Sequence, residues 1–513
     1  MRFASLFAWM LLVMAANPAP AREVSGAPVT VTLPAGALEG RTRDGVDAFA
    51  GIPYAAPPVG PLRWRPPGPA PGWQGARQAV RFGNDCPQLR IPGDATPSDQ
   101  PMSEDCLVLN VWRPAGAGRG QRLPVMFWIH GGAFVAGSSA SPVLDGAALA
   151  RRGVVLVSIN YRLGRFGFFA HPSLTLEASG RPDANFAFLD MIAALRWVGD
   201  NAEALGGDPA NVTIFGESAG GAAVGFLMAS PVAQGLFNKA ILMSGAGRQP
   251  YARLDTDRPS RISAHMAGFG FASGAGLAEP DAATLRALPM ETVLSGLAFW
   301  DLQPVRFTGP VIDGRSVLAD PAESFAAGRV PAIPFMIGST GAELSEEPYA
   351  GVMMDLIRAQ MSAEGMAWLL AAYGDPPDRS LVDDYFFTEG ARGHARMMAA
   401  RGAPAWRYVF DHVAEADRAR RDGASHASEL AYLFGNLPAG AGASDREAAR
   451  LMGDYWVNFA RTGDPNGTGL PSWPRHARGD PLLLFGADGA SVARNLNSAR
   501  LDAVERAMAA RPR

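Results

Sequence analysis

Cysteine is nearly absent from this chain. Cys86 and Cys106 are the only two in 513 residues, too few for a disulfide scaffold or a thiolate zinc site. Lysine is scarcer still, since Lys239 stands alone among 46 basic residues. Those residues nearly balance 49 acidic ones, giving a formal net charge of −3, so nothing points to a nucleic-acid partner. Charged residues make up 19% of the chain, below the roughly 25% of an average soluble protein. His-Glu-x-x-His is missing and no Cys/His cluster replaces it, which disfavours metal-dependent hydrolysis. No phosphate-binding loop follows a strand, which disfavours a nucleotide cofactor. Neither a metal nor an organic cofactor is expected. Beyond the first residues, long apolar runs are lacking too: Val154–Val157 has only a strand's length and Asn160–Arg162 follows at once. No stable membrane anchor is therefore expected.

Hydrophobic residues, by contrast, reach 48% of the chain, which supports a large core and excludes a mostly disordered polymer. At the start, one Arg, an apolar stretch from Phe3 to Ala16 and an Ala-Pro-Ala ending at Ala21 have the form of a secretory signal. The apolar stretch, about 14 residues, is short of the roughly 20 that a membrane span needs. Residues 1–21 are thus expected to direct export to the periplasm or the medium, with a mature chain starting near Arg22. In an exported protein, Cys86 and Cys106 are expected to close a loop rich in Pro, Asp, Ser and Gly.

Short apolar runs alternate with helical patterns, which predicts a largely parallel sheet with helices on both faces. Strands are expected at Pro124–Ile129, Val154–Ile159, Val212–Phe215, Ala240–Met243, Ile333–Ile337, Trp406–Phe410 and Leu482–Phe485. Phe188, Met191, Ile192, Leu195 and Val198 recur at helical spacing within Ala184–Ala204, and Gly206-Gly207-Asp208-Pro209 should end that helix and turn the chain. Residues 345–400, rich in methionine, read as helical and as packing against the core. No linker divides the chain, so one large domain is expected.

The segment Asn211-Val-Thr-Ile-Phe-Gly-Glu-Ser-Ala-Gly-Gly221 sets Gly-x-Ser-x-Gly directly between a strand and an apolar helix. A serine at the tip of such a turn adopts a strained backbone and projects its hydroxyl toward substrate. Gly216 and Gly220 let neighbouring chain approach without a Cβ clash, and the helix start favours negative charge nearby. Acyl transfer also requires donors aimed at the developing oxyanion. Trp128-Ile-His-Gly-Gly-Ala-Phe134, just past an apolar strand, offers unobstructed N–H groups for that purpose. His130 itself reads as a structural loop residue.

Several stretches together resemble the type-B carboxylesterase and cholinesterase family of α/β-hydrolases. They are Phe49-Ala-Gly-Ile-Pro-Tyr-Ala-Ala-Pro-Pro-Val-Gly60, Ser103-Glu-Asp-Cys-Leu-Val-Leu-Asn-Val-Trp112, Asn160-Tyr-Arg-Leu-Gly164, Trp456-Val-Asn-Phe-Ala-Arg-Thr-Gly-Asp-Pro-Asn466 and the Ser218 segment. The resemblance runs from about residue 25 to the C-terminus. It implies an α/β-hydrolase domain over residues 22–513: a mostly parallel twisted sheet, helices on both faces, and loop and helical excursions forming a pocket rim. In such hydrolases the partners follow in the order nucleophile, acid, histidine. Five histidines follow Ser218, and Gly423-Ala-Ser-His-Ala-Ser-Glu-Leu-Ala-Tyr-Leu-Phe-Gly435 resembles the family's histidine loop, which selects His426. Ile337-Gly-Ser-Thr-Gly-Ala-Glu-Leu344 resembles the acid segment and selects Glu343; the residues alone do not separate Glu343 from Glu346, Glu347 or other acids in the interval. The resemblance also places oxyanion donors at the N–H groups of Gly132, Ala133 and Ala219, pairs Cys86 with Cys106, and pairs Arg63 with Glu104. Glu217, beside the nucleophile, is expected to modulate charge, position water or simply pack.

Departures narrow the reading. Ala133 stands where many relatives carry a third glycine, which keeps the donor but alters pocket shape. The stretch between the cysteines contains no aromatic residue, whereas choline-binding relatives set an aromatic wall there for cation–π attraction; choline esters are not expected. The expected function is hydrolysis of small to medium, apolar carboxylic esters through a Ser-His-Glu triad and an acyl-enzyme. The partner would be a small-molecule ester, with the chain acting as a monomer or weak homo-oligomer. The competing readings are a catalytically dead, esterase-like binding protein and lipase, polyester or carbamate hydrolysis on the same machinery.

Overall fold

A computed structural model describes residues 21–179, 183–259, 261–298, 305–348 and 350–511. The signal-like segment lies almost wholly in residues 1–20, outside the described residues. The strands are β1 (Ala27–Leu33), β2 (Gly36–Arg43), β3 (Val46–Pro53), β4 (Ala76–Gln78), β5 (Val108–Pro114), β6 (Leu123–Ile129), β7 (Val155–Ile159) and β8 (Gly207–Glu217). They continue with β9 (Lys239–Met243), β10 (Ala252–Arg253), β11 (Val311–Ile312), β12 (Phe335–Thr340), β13 (Ala405–Phe410), β14 (Leu482–Gly486) and β15 (Gly489–Ala493). Thirteen of them form one sheet in the order β1-β2-β3-β5-β7-β6-β8-β9-β12-β13-β14-β15, with β4 beside β2. Every pairing from β7 through β14 is parallel, and the pairings at both ends are antiparallel except β2 with β4, which is parallel.

The parallel strands are apolar throughout because both their faces are covered. Alternate residues serve opposite sides: in β6, Val125, Phe127 and Ile129 join one core while Met126 and Trp128 join the other. All seven strands expected from the sequence are present. The one after Ala184–Ala204 is longer than expected: only Gly206 (φ 85°) makes the turn, and Gly207 already pairs with Leu123. The expected Ile333–Ile337 strand is displaced to Phe335–Thr340, since Pro334 lacks the N–H needed for pairing. The methionine-rich region is helical, and Met353, Met354, Met361 and Met366 pack in a satellite core with Tyr373 and Tyr385, as read from the sequence.

The residues singled out in the sequence gather where the parallel strands end. The chain leaves β6 into Gly131–Ala133, β8 into Ser218, β12 into Glu343 and β13 into the loop bearing His426, so four segments distant in sequence converge on the C-terminal edge of one sheet.

Candidate active site

Ser218 sits between β8 and helix Ala219–Ala229 at φ 55°, ψ −122°, a conformation L-residues avoid. Its N–H donates to the Met243 carbonyl (2.9 Å), which anchors the turn to β9. The flanking glycines are sterically required: a Cβ on Gly216 would lie 2.5 Å from the Gly220 backbone, and one on Gly220 would lie 2.1 Å from the Ile129 carbonyl. The serine is thereby thrust outward at the start of an eleven-residue helix, whose first N–H groups are unpaired and favour negative charge.

Ser218 Oγ lies 2.9 Å from His426 Nε2, and His426 Nδ1 lies 2.5 Å from Glu343 Oε2. The acid turn and the histidine loop are stitched by backbone: the His426 N–H donates to the Glu343 carbonyl (3.0 Å) and the Ala342 N–H to the Ala424 carbonyl (2.9 Å). Glu343 is fully buried. Its other oxygen accepts the Thr340 N–H at 2.8 Å. Burial alone would raise Glu343, but the charge and hydrogen bond of His426, with the Ser244 hydroxyl and the Thr340 N–H, hold its carboxyl below the ordinary range. The geometry therefore separates Glu343 from Glu346 and Glu347, which face Arg421 instead.

Two further acids, Glu217 and Glu429, act electrostatically on the imidazole. Glu217 Oε1 is 3.2 Å from His426 Nε2, and Glu217 is buried. Burial, with Glu343 nearby, pushes Glu217 up to about 7 although His426 draws it down. Glu429 is fully buried, and neither of its oxygens has a hydrogen-bond partner among the described residues. Burial and the charges of Glu217 and Glu343 raise it well above the usual carboxylate range. Burial alone would lower His426; the carboxylates of Glu217 and Glu343 outweigh it and raise the imidazole well above its ordinary value. Glu429 was not singled out from the sequence. Its only local signal is its place three residues after His426, and its neighbours come from other strands.

The turn after β6 is tightly wound. Gly132 has φ 100°, Ala133 φ 51° and Phe134 φ 62°, and a Cβ on Gly131 would fall 2.7 Å from Glu217 Oε2. The N–H groups of Gly132 and Ala133 donate to no acceptor among the described residues, and Ala219 supplies the first N–H of the helix. His130 is buried and stacked on Tyr161 at 4.4 Å, with Nδ1 bonded to its neighbour's carbonyl at 2.9 Å. Burial lowers it to about 4, consistent with a structural residue. A π-helical turn, Asp384–Thr388, brings the Phe387 ring to 5.1 Å from the His426 ring; such turns often occur at functional sites.

This geometry can be set beside known proteins. The model of the carboxylesterase family matches residues 27–355 and 379–504. Fumonisin B1 esterase of Sphingopyxis macrogoltabida is 36% identical over 95% of this chain and 92% of its own. Para-nitrobenzyl esterase of Bacillus subtilis is 34% identical over 87% and 92%. The chain belongs to the carboxylesterase family. A solved para-nitrobenzyl esterase superposes with a TM-score of 0.80 at 32% identity, covering 93% of this carboxylesterase and 99% of that chain. The Geobacillus stearothermophilus carboxylesterase Est55 gives 0.78 at 35%, covering 92% and 99%. The protein is accordingly a carboxylic-ester hydrolase with the α/β-hydrolase fold.

Other features of the carboxylesterase support the site from behind. Cys86 and Cys106 form a disulfide with Cα atoms 5.1 Å apart, and the loop they close is tied inward. Gln88 Oε1 accepts the Gly137 N–H (2.9 Å) and its Nε2 donates to the Gly137 carbonyl (2.9 Å), five residues after Gly132. Arg63 meets Glu104 through two bonds, Nε to Oε2 at 2.7 Å and a second guanidinium nitrogen to Oε1 at 2.5 Å. Among the described residues, no helix is long and apolar enough to cross a membrane. A disulfide is compatible with an oxidising compartment.

Proposed function

We propose that this carboxylesterase cleaves small to medium apolar esters through an acyl-enzyme, with Ser218 as nucleophile, His426 as base and acid, and Glu343 as the group that orients the imidazole. The observation that carries the reading is the unbroken relay of Ser218 Oγ to His426 Nε2 at 2.9 Å and His426 Nδ1 to Glu343 at 2.5 Å. As Ser218 Oγ bonds to the ester carbon, its proton passes to Nε2, and the carbonyl oxygen becomes an oxyanion facing the N–H groups of Gly132, Ala133 and Ala219. The imidazolium returns the proton to the departing alkoxide, which leaves as alcohol, and the Ser218 acyl ester remains. Water then gives its proton to His426 and attacks the acyl carbon; the intermediate collapses to a carboxylic acid, and Ser218 regains its proton. Glu343 fixes the tautomer and stabilises the imidazolium throughout.

The aromatic-free disulfide loop favours neutral esters over quaternary ammonium substrates. We also read residues 1–21 as an export signal, with a mature monomer or weak homo-oligomer beginning near Arg22; the disulfide supports this, and N-terminal sequencing of exported protein checks it. The activity test is Ser218→Ala against a panel of p-nitrophenyl esters of graded acyl length, with p-nitrobenzyl esters and fumonisin B1 included because relatives carry those names. Loss of all turnover with an unchanged melting curve supports the reading, and retained turnover refutes it.

A further inference from the structure

Glu343 is fastened by backbone on one side and by a second acid on the other. Its Oε1 accepts the Thr340 N–H at 2.8 Å, and its carbonyl accepts the His426 N–H at 3.0 Å. A trans peptide group is planar, so its carbonyl and the following N–H point in opposite directions. The N–H at the far edge of this plane belongs to Leu344. It donates to Asp383 Oδ1 at 2.7 Å, and the Ser345 N–H donates to the same oxygen at 2.9 Å. The plane that joins the acid turn to the histidine loop is therefore held at both edges, by His426 and by Asp383.

Asp383 is an expensive residue to keep in this place. It is 4% exposed, and burial pushes its carboxyl up to about 7 against the pull of its bonds to Ser345 and Leu344. The next residue, Asp384, has the usual compensation for a buried acid: it pairs with Arg500 Nε (3.1 Å) and accepts the Tyr373 hydroxyl (2.7 Å). Asp383 directs its bonds to backbone instead, at the turn just after Glu343. It also ends helix Ser380–Asp383 and leads into the π-helical turn Asp384–Thr388. The Thr388 hydroxyl donates back to the Asp383 carbonyl (3.4 Å), and Phe387 of that turn lies 5.1 Å from the His426 ring. One residue thus meets the acid turn through its side chain and the aromatic neighbour of the imidazole through its backbone.

We propose that Asp383 is a positioning residue for ester hydrolysis: its side chain fixes the peptide between Glu343 and Leu344 and, through it, the bond from Glu343 to His426 Nδ1. The proposal rests on Ser218, His426 and Glu343 acting as the triad. Without Asp383, the Leu344 N–H loses its acceptor inside the protein, which is costly, and the turn shifts to find another. A misplacement of about 1 Å at a reacting group can cost about 10²-fold in rate. Asp383 acts on the acid alone, so the loss falls on kcat and spares KM.

The test compares the whole mature protein with Asp383→Ala, Glu343→Gln and the double variant, using p-nitrophenyl acetate. Asp383→Ala should lower kcat by about 10- to 100-fold with KM within about twofold of the parent. The acid limb of its kcat/KM profile should move to lower pH, because a displaced Glu343 favours the imidazolium less. In the Glu343→Gln background the same change should cost less than about threefold, since residues that act as one unit are not additive. Asp383→Asn, whose amide oxygen can accept both N–H groups, should stay within about fivefold of the parent. If Asp383→Ala does not fold, Asp383→Glu, which moves the carboxylate by one methylene, should show the same loss in kcat alone. A parent-like kcat in Asp383→Ala, or in Asp383→Glu as its substitute, while Glu343→Gln is impaired overturns this proposal and leaves the triad standing. A loss that falls on KM, or one undiminished in the Glu343→Gln background, overturns it as well. A parent-like Glu343→Gln overturns it together with the triad.

Discussion

The buried His412 and the half-buried His426 each touch a carboxylate, and the contrast between them shows what a reactive centre would need beyond such a pair. His412 directs Nε2 to Asp445 at 2.8 Å and Nδ1 to the Gly486 carbonyl at 3.2 Å. Asp445 in turn accepts the Gly442 N–H (2.8 Å) at the start of helix Ala443–Thr462 and the Tyr432 hydroxyl (3.2 Å). Both ring nitrogens of His412 are committed to acceptors, and the network's product is a fastened helix end. His426 gives Nδ1 to Glu343 and turns Nε2, which also has Glu217 Oε1 at 3.2 Å, to a hydroxyl on strained backbone at 2.9 Å. The flanking turns are strained too, with positive φ at Ala133, Ser218, Ser244 and Ala427. A histidine with a carboxylate is thus common hardware; reactivity requires one nitrogen left facing a nucleophile in a setting rigid enough to hold it.

The comparison can be broken most severely at Ser218, the proposed nucleophile. Ser218→Ala should lower kcat by about 10⁴-fold or more, measured with p-nitrophenyl acetate, while circular dichroism melting stays unchanged. Glu343→Gln should cost about 10³ to 10⁴-fold in kcat, because an amide can neither fix the tautomer nor stabilise the imidazolium. In the His412 network the corresponding change has the opposite signature: His412→Ala should cost about 3 kcal/mol of stability in urea unfolding, with kcat/KM of the folded enzyme within twofold of the parent. Cys86→Ser with Cys106→Ser should lower stability by about 3 kcal/mol by releasing the loop and should disturb activity only through Gln88 and the turn after β6. The smallest effect is a shift in pH dependence. Glu217→Gln removes a negative charge that favours the imidazolium, so the His426 pKa falls and neutral imidazole persists to lower pH. The acid limb of the kcat/KM profile should move to lower pH; a move to higher pH, or none, contradicts the electrostatic role assigned to Glu217.

Legibility in the sequence followed the range of the forces involved. Ser218 was readable because its constraints are local: a strand, two glycines that admit no Cβ, and a helix within eleven residues. The parallel strands were readable because burial on both faces writes them as continuous apolar runs. The antiparallel strands β1 to β3 and β5 were not anticipated, since Gly36–Arg43 and Val46–Pro53 mix glycine, charge and proline and gain their stability from pairing with each other. Glu343 could be chosen only through the family resemblance. What distinguishes it from Glu346 is a turn three residues long, stitched to a loop about eighty residues away, and no local pattern records that contact. Glu429 is the extreme case: its surroundings are assembled entirely from other segments.

Fluorophosphonate labelling followed by peptide mass spectrometry bears most directly on the convergence of Ser218, His426 and Glu343. A single adduct on the peptide containing Ser218, formed rapidly by the parent protein and lost in His426→Ala, is the predicted result. No adduct, an adduct on another serine, or undiminished labelling without His426 would contradict the relay.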